Sequence, residues 1–346
     1  MDSPTRRTLT IPYRVLGDYV PIDIERLRPK ESYRTLIANR TYAIERLVRE
    51  HGGIPRDLLR ERPCPTCGSY ERTPEMEKDH LLIVRCVSCD LVYVNPVFDE
   101  EHYRETYGST DYQRIMRDLG EASHDYRVSR FGSERVDIMA RFLAPGADAP
   151  PRYLDVGCST GFVVEAARDR GWRAEGLDLN PSAVEFGRAR GLDLRVGHLD
   201  DGTLKPGAFD AVSLFDVLEH LPDPARTVTR CATLLRPGGI LFLYVPNYDS
   251  ASRMLMGADA HFIWPSHHLN YYTPVTITGL LERTGFAIEH VVTEGLDFVD
   301  YVWQRRELHG DDMAQIERIV DILQFLANAG AYGKNLRALA RRPART

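Results

Sequence analysis

Short apolar runs alternate with stretches of helical spacing over much of the chain after Arg152. Arg152–Val156, Arg173–Asp178, Leu192–Val196, Phe209–Phe215 and Ile240–Val245 are predicted strands. Phe162–Arg170, Ser182–Arg190, 224–235 and 274–284 space their apolar residues as amphipathic helices do. Such alternation implies an α/β unit with a parallel sheet covered by helices on both faces. Phe286–Val292 and Phe298–Trp303 are predicted as the last two strands, and Asp311–Ala340 as a helical tail broken near Gly330 and Gly333. Upstream, Tyr33, Leu36, Ile37, Ile44, Leu47 and Val48 form one helical stripe between Glu31 and His51, ended by Gly52, Gly53 and Pro55. A packing helix is the first reading of this stripe; a substrate lid or dimer arm is the second.

The pattern divides the chain into an extended and helical N-terminal segment (1–60), a cysteine-bearing module (61–98) and a helical linker or cap (99–145). An α/β domain (146–305) and a helical tail (306–346) follow. The cap carries Tyr103, Tyr107, Tyr112 and Tyr126. Residues 1–30 read as a lead-in, and Pro145, Gly146, Pro150 and Pro151 mark a loop. The net charge of −6 over 346 residues argues against a general nucleic-acid binder. Residues 1–63 hold 13 Arg and Lys against 9 Asp and Glu, read as a solvated helical face. No apolar run has the length of a membrane span, and Met1–Pro4 lacks the start of a signal peptide. The expected location is cytoplasmic.

Asp155-Val156-Gly157-Cys158-Ser159-Thr160-Gly161 joins the first predicted strand to the first helix. Glycine there permits a tight turn and a close ligand approach at the carboxyl end of a strand. Asp178 ends the second strand, where a carboxylate can accept both hydroxyls of a ribose. The spacing is D-x-G-x-x-x-G rather than the G-x-G-x-x-G that cradles a pyrophosphate. An acidic head suits a cationic ligand such as S-adenosylmethionine better than a dinucleotide, which leaves a dehydrogenase as the rival.

Six cysteines stand at 64, 67, 86, 89, 158 and 231. Cys64-x-x-Cys67 and Cys86-x-x-Cys89 can bring two knuckles together into an S4 site suited to a structural Zn2+. Acidic residues between the knuckles (Glu71, Glu75, Glu77, Asp79) weigh against phosphate binding. Cys158 and Cys231 read as packing residues.

The motifs LDVGCSTG (154–161), GLDLNP (176–181), FDAVSLFDVLEHLPDP (209–224), LLRPGGILFLYVPN (234–247) and HHLNYYTP (267–274) together resemble a class I S-adenosylmethionine-dependent methyltransferase. The subgroup is that of the ubiquinone-biosynthesis O-methyltransferases and many tailoring enzymes. The resemblance implies a Rossmann-like sheet of seven strands. By it, Asp155, Gly157, Cys158, Ser159 and Gly161 would face the amino-acid part of the cofactor, and Asp178 with Leu179 the ribose. Gly197, His198, Leu199 and Asp200 would border the adenine, with Phe215 and Asp216 beside the cofactor. The family commonly has Gly at Ser159 and Asp at His198; Asp200 or Asp201 could replace the latter. Glu219 and His220 would shape the cofactor pocket, although this pair contributes to a metal site in some relatives. CPTCG…CVSCDLVYVNP resembles the N-terminal zinc module of sugar C-methyltransferases, whose large additional C-terminal domain is not expected here.

The segment 261–272 follows the fifth strand and concentrates imidazoles and phenols over the expected crevice. His268, which matches the family's usual histidine, is the first candidate base, then His267 and Tyr272. His124 and Tyr126 are weaker candidates for touching cofactor or substrate. The expected function is methyl transfer to a small-molecule acceptor, O-methylation first, in a tailoring or secondary-metabolic pathway. N- or C-methylation, including sugar C-methylation, is the alternative. A zinc-ribbon interaction protein with a vestigial cofactor fold is the non-enzyme alternative. A homodimer is left open.

Overall fold

The structure, a computed structural model, describes residues 15–143 and 149–344. Residues 1–14 of the lead-in and the loop residues Pro145 and Gly146 lie outside the described residues. The rest of the lead-in forms a short 3-10 turn, Leu16–Asp18, and helix α1 (Ile24–Leu27), capped by the Asp23 side chain. Helix α2 (Lys30–His51) ends at Gly52, which takes the left-handed conformation at φ 74°.

The cysteine module is built from β1 (Leu59–Arg60), β2 (Arg72–Lys78), β3 (Leu81–Cys86), β4 (Val92–Val94) and β5 (Val97–Phe98). Strands β1 and β5 pair antiparallel and close the module. Asp79 and His80, both with positive φ, turn the β2–β3 hairpin. Helices α3 (Glu100–Gly108), α4 (Thr110–Arg127) and α5 (Ser133–Phe142) occupy the stretch read as a helical linker or cap, with a π-turn over Val128–Gly132 between the last two.

The α/β part runs β6 (Arg152–Val156), α6 (Phe162–Asp169), β7 (Arg173–Asp178), α7 (Pro181–Ala189), β8 (Asp193–Val196), β9 (Phe209–Phe215), α8 (Pro224–Leu234) and β10 (Leu235–Pro246). Then follow α9 (Ala251–Met256), β11 (Asn270–Tyr271), α10 (Pro274–Arg283), β12 (Ala287–Glu294), α11 (Asp297–His309), α12 (Ala314–Glu317), α13 (Val320–Ala329) and β13 (Asn335–Arg341). Among the described residues seven strands form one sheet in the order β12-β13-β10-β9-β6-β7-β8. Strands β6 to β10 are parallel; β13 is antiparallel to both its neighbours. The chain steps outward to β8 and then returns beside β6 with β9. That switch of direction opens a crevice at the carboxyl ends of β6 and β9. Both faces are covered. Leu241, Leu243 and Val245 of β10 pack into one apolar cluster, and Ile240 and Phe242 into the other.

Two predicted elements are corrected. Phe298–Trp303 lies within helix α11, not a strand. The last strand is β13, inside the stretch read as a helical tail. Its Leu336, Ala338, Leu339 and Ala340 are buried because β13 is sandwiched between β12 and β10. Leu, Ala and Arg favour helix in isolation, and the two flanking strands override that preference. The cysteine module is also less separate than 61–98 implies. Strand β11 adds to its sheet, giving the order β11-β4-β3-β2. No helix among the described residues is long and apolar enough to cross a membrane.

Candidate cofactor and acceptor site

The loop after β6 turns on Gly157, at φ +76°, where an added Cβ would lie 2.3 Å from Val217 Cγ2. The Gly157 and Cys158 amides donate to the Leu177 carbonyl at 2.7 and 3.0 Å, which fastens the loop to β7. Ser159 holds a left-handed conformation (φ 51°) where glycine is the easier residue. Its amide donates to Asp178 Oδ2 at 2.7 Å, and that of Asn180 to Oδ1 at 2.8 Å. Asp178 is thus oriented by backbone, and each of its oxygens keeps a lone pair for a further donor.

A cavity of about 450 Å3 opens over this loop. Asp155, Gly157, Cys158, Ser159, Asp178, Leu179, His198, Leu199, Asp200, Phe215, Asp216 and His220 all border it. Gly161 does not: at φ +83° it packs against Leu192 and Leu194. Ser213 donates to Asp155 Oδ1 at 2.6 Å. Burial nevertheless pushes the Asp155 carboxyl up to about 7. Burial also raises Asp216, against the pull of Arg135 and Arg127. His198 borders the cavity, but its amide is capped by Asp201 at 2.6 Å. Asp200 pairs with Arg226 at 2.8 Å.

Sequence reasoning missed Arg127 and Arg135, which both border the cavity from the cap. The Arg135 guanidinium lies 4.2 Å from the Phe215 ring centroid and 4.7 Å from that of Tyr244. Arg127 donates to Ser123 at 2.7 Å, and burial lowers it to about 10. Two carboxylates and two guanidiniums therefore surround one end of the cavity. Nothing in a helix's spacing signals which of its arginines turns inward.

Another part of the cavity is bordered by Tyr107, Tyr112, Met116, His220 and Leu221. Behind His220 lies a small polar cluster. His220 Nδ1–H donates to the His267 carbonyl at 2.9 Å, and His268 Nδ1–H to the Phe262 carbonyl at 2.8 Å. These bonds set both tautomers and leave each Nε2 as the free basic nitrogen. Glu219 is buried, and its Oε2 has no hydrogen-bond partner among the described residues. Ligand-type atoms of Glu219, His220 and His268 all lie within 4.8 Å of one another, a spacing that could hold a proton, a water or a divalent ion. Burial favours the neutral form throughout. It lifts Glu219 well above the usual carboxylate range, lowers His220 to about 4 and holds His268 well below its ordinary value.

His268, His267 and Tyr272 do not themselves border the cavity. His267 is buried, 2.9 Å from Ser266 Oγ at Nδ1 and 5.9 Å from the Tyr107 ring. Tyr272 is wholly buried in the main core, and its hydroxyl has no partner among the described residues. His124 and Tyr126 take structural places. His124 lies 2.9 Å from Thr160 Oγ1 and 2.8 Å from Glu165, joining α4 to the glycine loop. The Tyr126 hydroxyl accepts from the Asp23 amide at 2.8 Å.

The four module cysteines converge. Cys64 and Cys89 sulfurs are 3.4 Å apart, and those of Cys67 and Cys86 3.5 Å. A tetrahedron with Zn–S bonds of about 2.3 Å has edges of roughly 3.8 Å, so the thiols need little movement to take that ion. Matching turns build the two knuckles. The Gly68 amide donates to Cys64 O at 2.8 Å and that of Asp90 to Cys86 O at 3.0 Å, with Gly68 and Asp90 both left-handed. Arg62 ties the module to the neighbouring motif, donating to Pro222 O at 2.8 Å and Leu269 O at 3.0 Å.

The methyltransferase-domain family matches residues 126–291. A ubiquinone biosynthesis O-methyltransferase of Xanthomonas campestris pv. campestris (strain B100) is 39% identical over 167 residues, 44% of this chain and 68% of that protein. The chain belongs to the S-adenosylmethionine-dependent methyltransferases. The ubiquinone biosynthesis O-methyltransferase of Xylella fastidiosa (strain 9a5c) is 33% identical to this methyltransferase over 153 residues, 40% of this chain and 62% of that protein. Among solved structures, the Haemonchus contortus phosphoethanolamine N-methyltransferase 2 bound to S-adenosyl-L-methionine aligns at a TM-score of 0.49 and 17% identity. That alignment covers 73% of this chain and 63% of the other.

The methyltransferase's cavity fits its cofactor by donor set. A carboxylate held by two backbone amides meets the loop at one point, and buried acids and guanidiniums stand together at another. A ribose diol and a zwitterionic amino acid are the matching groups.

Proposed function

We propose that this methyltransferase transfers a methyl group to a hydroxyl oxygen of a small-molecule acceptor, in a tailoring or other biosynthetic pathway. In this reading Asp178 accepts the ribose hydroxyls and Leu199 and His198 flank the adenine. Asp155 faces the cofactor's ammonium, and Arg127 and Arg135 face its carboxylate. The acceptor lies against Tyr107, Tyr112 and His220. The observation that carries the reading is the convergence of Glu219, His220 and His268, reached from the cavity through His220. His220, which borders the cavity, takes the hydroxyl proton at Nε2 with His268 packed behind it, the oxygen forms the bond to the methyl carbon, and the carbon–sulfur bond breaks to leave S-adenosylhomocysteine. Placing the oxygen in line with that bond supplies much of the acceleration. The relatives' name as O-methyltransferases supports oxygen as the acceptor atom.

The four thiolates hold Zn2+ in this reading, in a closed site that fastens the module to the core. Cys67→Ser should release the metal and lower the melting temperature; a zinc-replete variant of unchanged stability would refute the assignment. The methyl-transfer reading is tested by incubating the full chain with S-adenosylmethionine and catechol acids, with mass spectrometry of the product. An ether gain of one methylene unit is expected, and methylation only at a ring carbon would overturn it. A second reading has a divalent ion bridging Glu219, His220 and His268, favoured by their convergence within 4.8 Å. Activity lost to a chelator and restored by Mg2+ would select it over His220 as the base.

A further inference from the structure

Two chain segments carry the histidines of the acceptor side. His220 ends the 3-10 turn Leu218–His220 after β9, and His267 and His268 stand on the stretch before β11. Hydrogen bonds between the two segments hold the His220 ring. Its Nδ1–H donates to the His267 carbonyl at 2.9 Å. Beside it, the Leu269 amide donates to the Glu219 carbonyl at 2.7 Å, and the Asn270 side chain to the Leu221 carbonyl at 2.8 Å. The Tyr107 hydroxyl stands 3.4 Å from the same Nδ1. A hydroxyl donating to Nδ1 would require the ring proton on Nε2 and leave His220 with no free basic nitrogen. The spacing of the two segments therefore decides which tautomer His220 adopts.

That spacing is held from the cysteine module. Arg62, two residues before Cys64, is half-buried, and its amide donates to Asn95 Oδ1 at 2.9 Å. Its guanidinium donates to Pro222 O at 2.8 Å on one segment, and to Leu269 O at 3.0 Å and Asn270 Oδ1 at 3.2 Å on the other. Pro222 and Leu269 each lie two residues beyond a partner of the His220–His267 bond. The fixed fork of a guanidinium spans both segments at once, which the point charge of an ammonium does not. We propose that Arg62 is a positioning residue through which the cysteine module holds His220 in the Nδ1–H tautomer and keeps its Nε2 basic. The inference rests on His220 as the base in the reading above. Arg62 does not border the cavity, so it acts through His220 and not on the acceptor.

The tautomer can be read directly. The full, zinc-loaded chain is labelled with nitrogen-isotope histidine and saturated with S-adenosylhomocysteine, and two-bond proton–nitrogen correlations report the protonated nitrogen of each ring. The signal missing from His220→Gln is that of His220. In the wild type its proton should reside on Nδ1. Arg62→Gln should move it largely to Nε2, and Arg62→Lys should fall between the two. With 3,4-dihydroxybenzoate as acceptor, kcat should drop by about 100-fold in Arg62→Gln and by less in Arg62→Lys, at unchanged KM and S-adenosylhomocysteine affinity. A wild-type proton on Nε2 would overturn the proposal. So would a tautomer unchanged in Arg62→Lys, the milder variant, even where Arg62→Gln does not fold. A shifted tautomer with kcat unchanged keeps the role of Arg62 and sinks His220 as the base.

Discussion

The two ends of the main cavity are built differently. The end assigned to the cofactor is made mostly of short segments at the carboxyl ends of β6 to β9, much of it backbone, with Arg127 and Arg135 added from the cap. Gly157 turns, the Ser159 and Asn180 amides orient Asp178, and Leu177 O fastens the loop. The end assigned to the acceptor is made of side chains from α3, α4 and the turn after β9, backed by α2 and the segment before β11. It places Arg40, Tyr107, Tyr112, His220 and His268 within one neighbourhood although they are far apart in the chain. The first kind of site is fixed by local turn chemistry. The second exists only once the whole chain has folded. A shared cofactor can thus keep one end constant while the acceptor end changes by substitution of side chains.

The comparison predicts variants that strike one end and spare the other. His220→Ala should slow turnover by about 100- to 10,000-fold, the usual worth of a general base, with cofactor affinity unchanged. Calorimetry alongside a turnover assay checks both halves; a matching loss of cofactor binding would show that the two ends are not separable. Asp178→Ala should do the opposite. Removing a charged acceptor from the ribose should weaken S-adenosylmethionine binding by about 10- to 100-fold. Saturating cofactor should then restore most of the turnover, and failure to do so would place Asp178 in the chemistry itself.

The same contrast explains what could be read in advance. The glycine loop, Asp178 and both cysteine knuckles are local patterns, and each falls where the sequence puts it. The inward turn of Arg127 and Arg135 depends on how α4 and α5 dock, which their spacing does not encode. Strand β13 was hidden for a related reason. Residues 335–341 contain Leu, Ala and Arg, which lean towards helix, and only the open edges of β12 and β10 draw them into the sheet. Phe298–Trp303 erred the other way: an aromatic and β-branched run joined α11, whose Asp297 and Asp300 are buried in polar contacts with Gln324 and Lys334. The pairing of β11 with β4 joins segments far apart in sequence, so no local pattern announces it.

The seam between the two ends offers a third test. Helix α4 passes so close to the glycine loop that a Cβ on Gly120 would lie 2.8 Å from Thr160 Cγ2. His124 bonds the same threonine. Gly120→Ala should therefore force α4 and the loop apart, at about 1–3 kcal/mol of stability, the usual cost of overpacking. Both cofactor affinity and turnover should fall. Thermal melts and calorimetry measure the pair, and a change confined to turnover would mean that the cap moves independently of the loop.

The smallest effect tests the cofactor end by pH. Asp155 is buried under the loop, and its carboxyl is pushed up to about 7 in the absence of ligand. Raised in this way, it costs the folded protein stability as pH climbs from the ordinary carboxylate value towards 7, because the native state then holds a proton that the unfolded state has released. A cofactor ammonium would favour the ionised form. Binding below pH 7 must therefore release that proton, and the apparent affinity should rise by up to about tenfold per pH unit until it levels off above 7. Asp155→Asn cannot ionise, so its binding should lack this slope while keeping the Ser213 contact through its side-chain oxygen. Titrations of wild type and variant between pH 5.5 and 8 decide the matter. Parallel curves would mean that the proton resides elsewhere, and that Asp155 serves the loop's architecture rather than the ligand's charge.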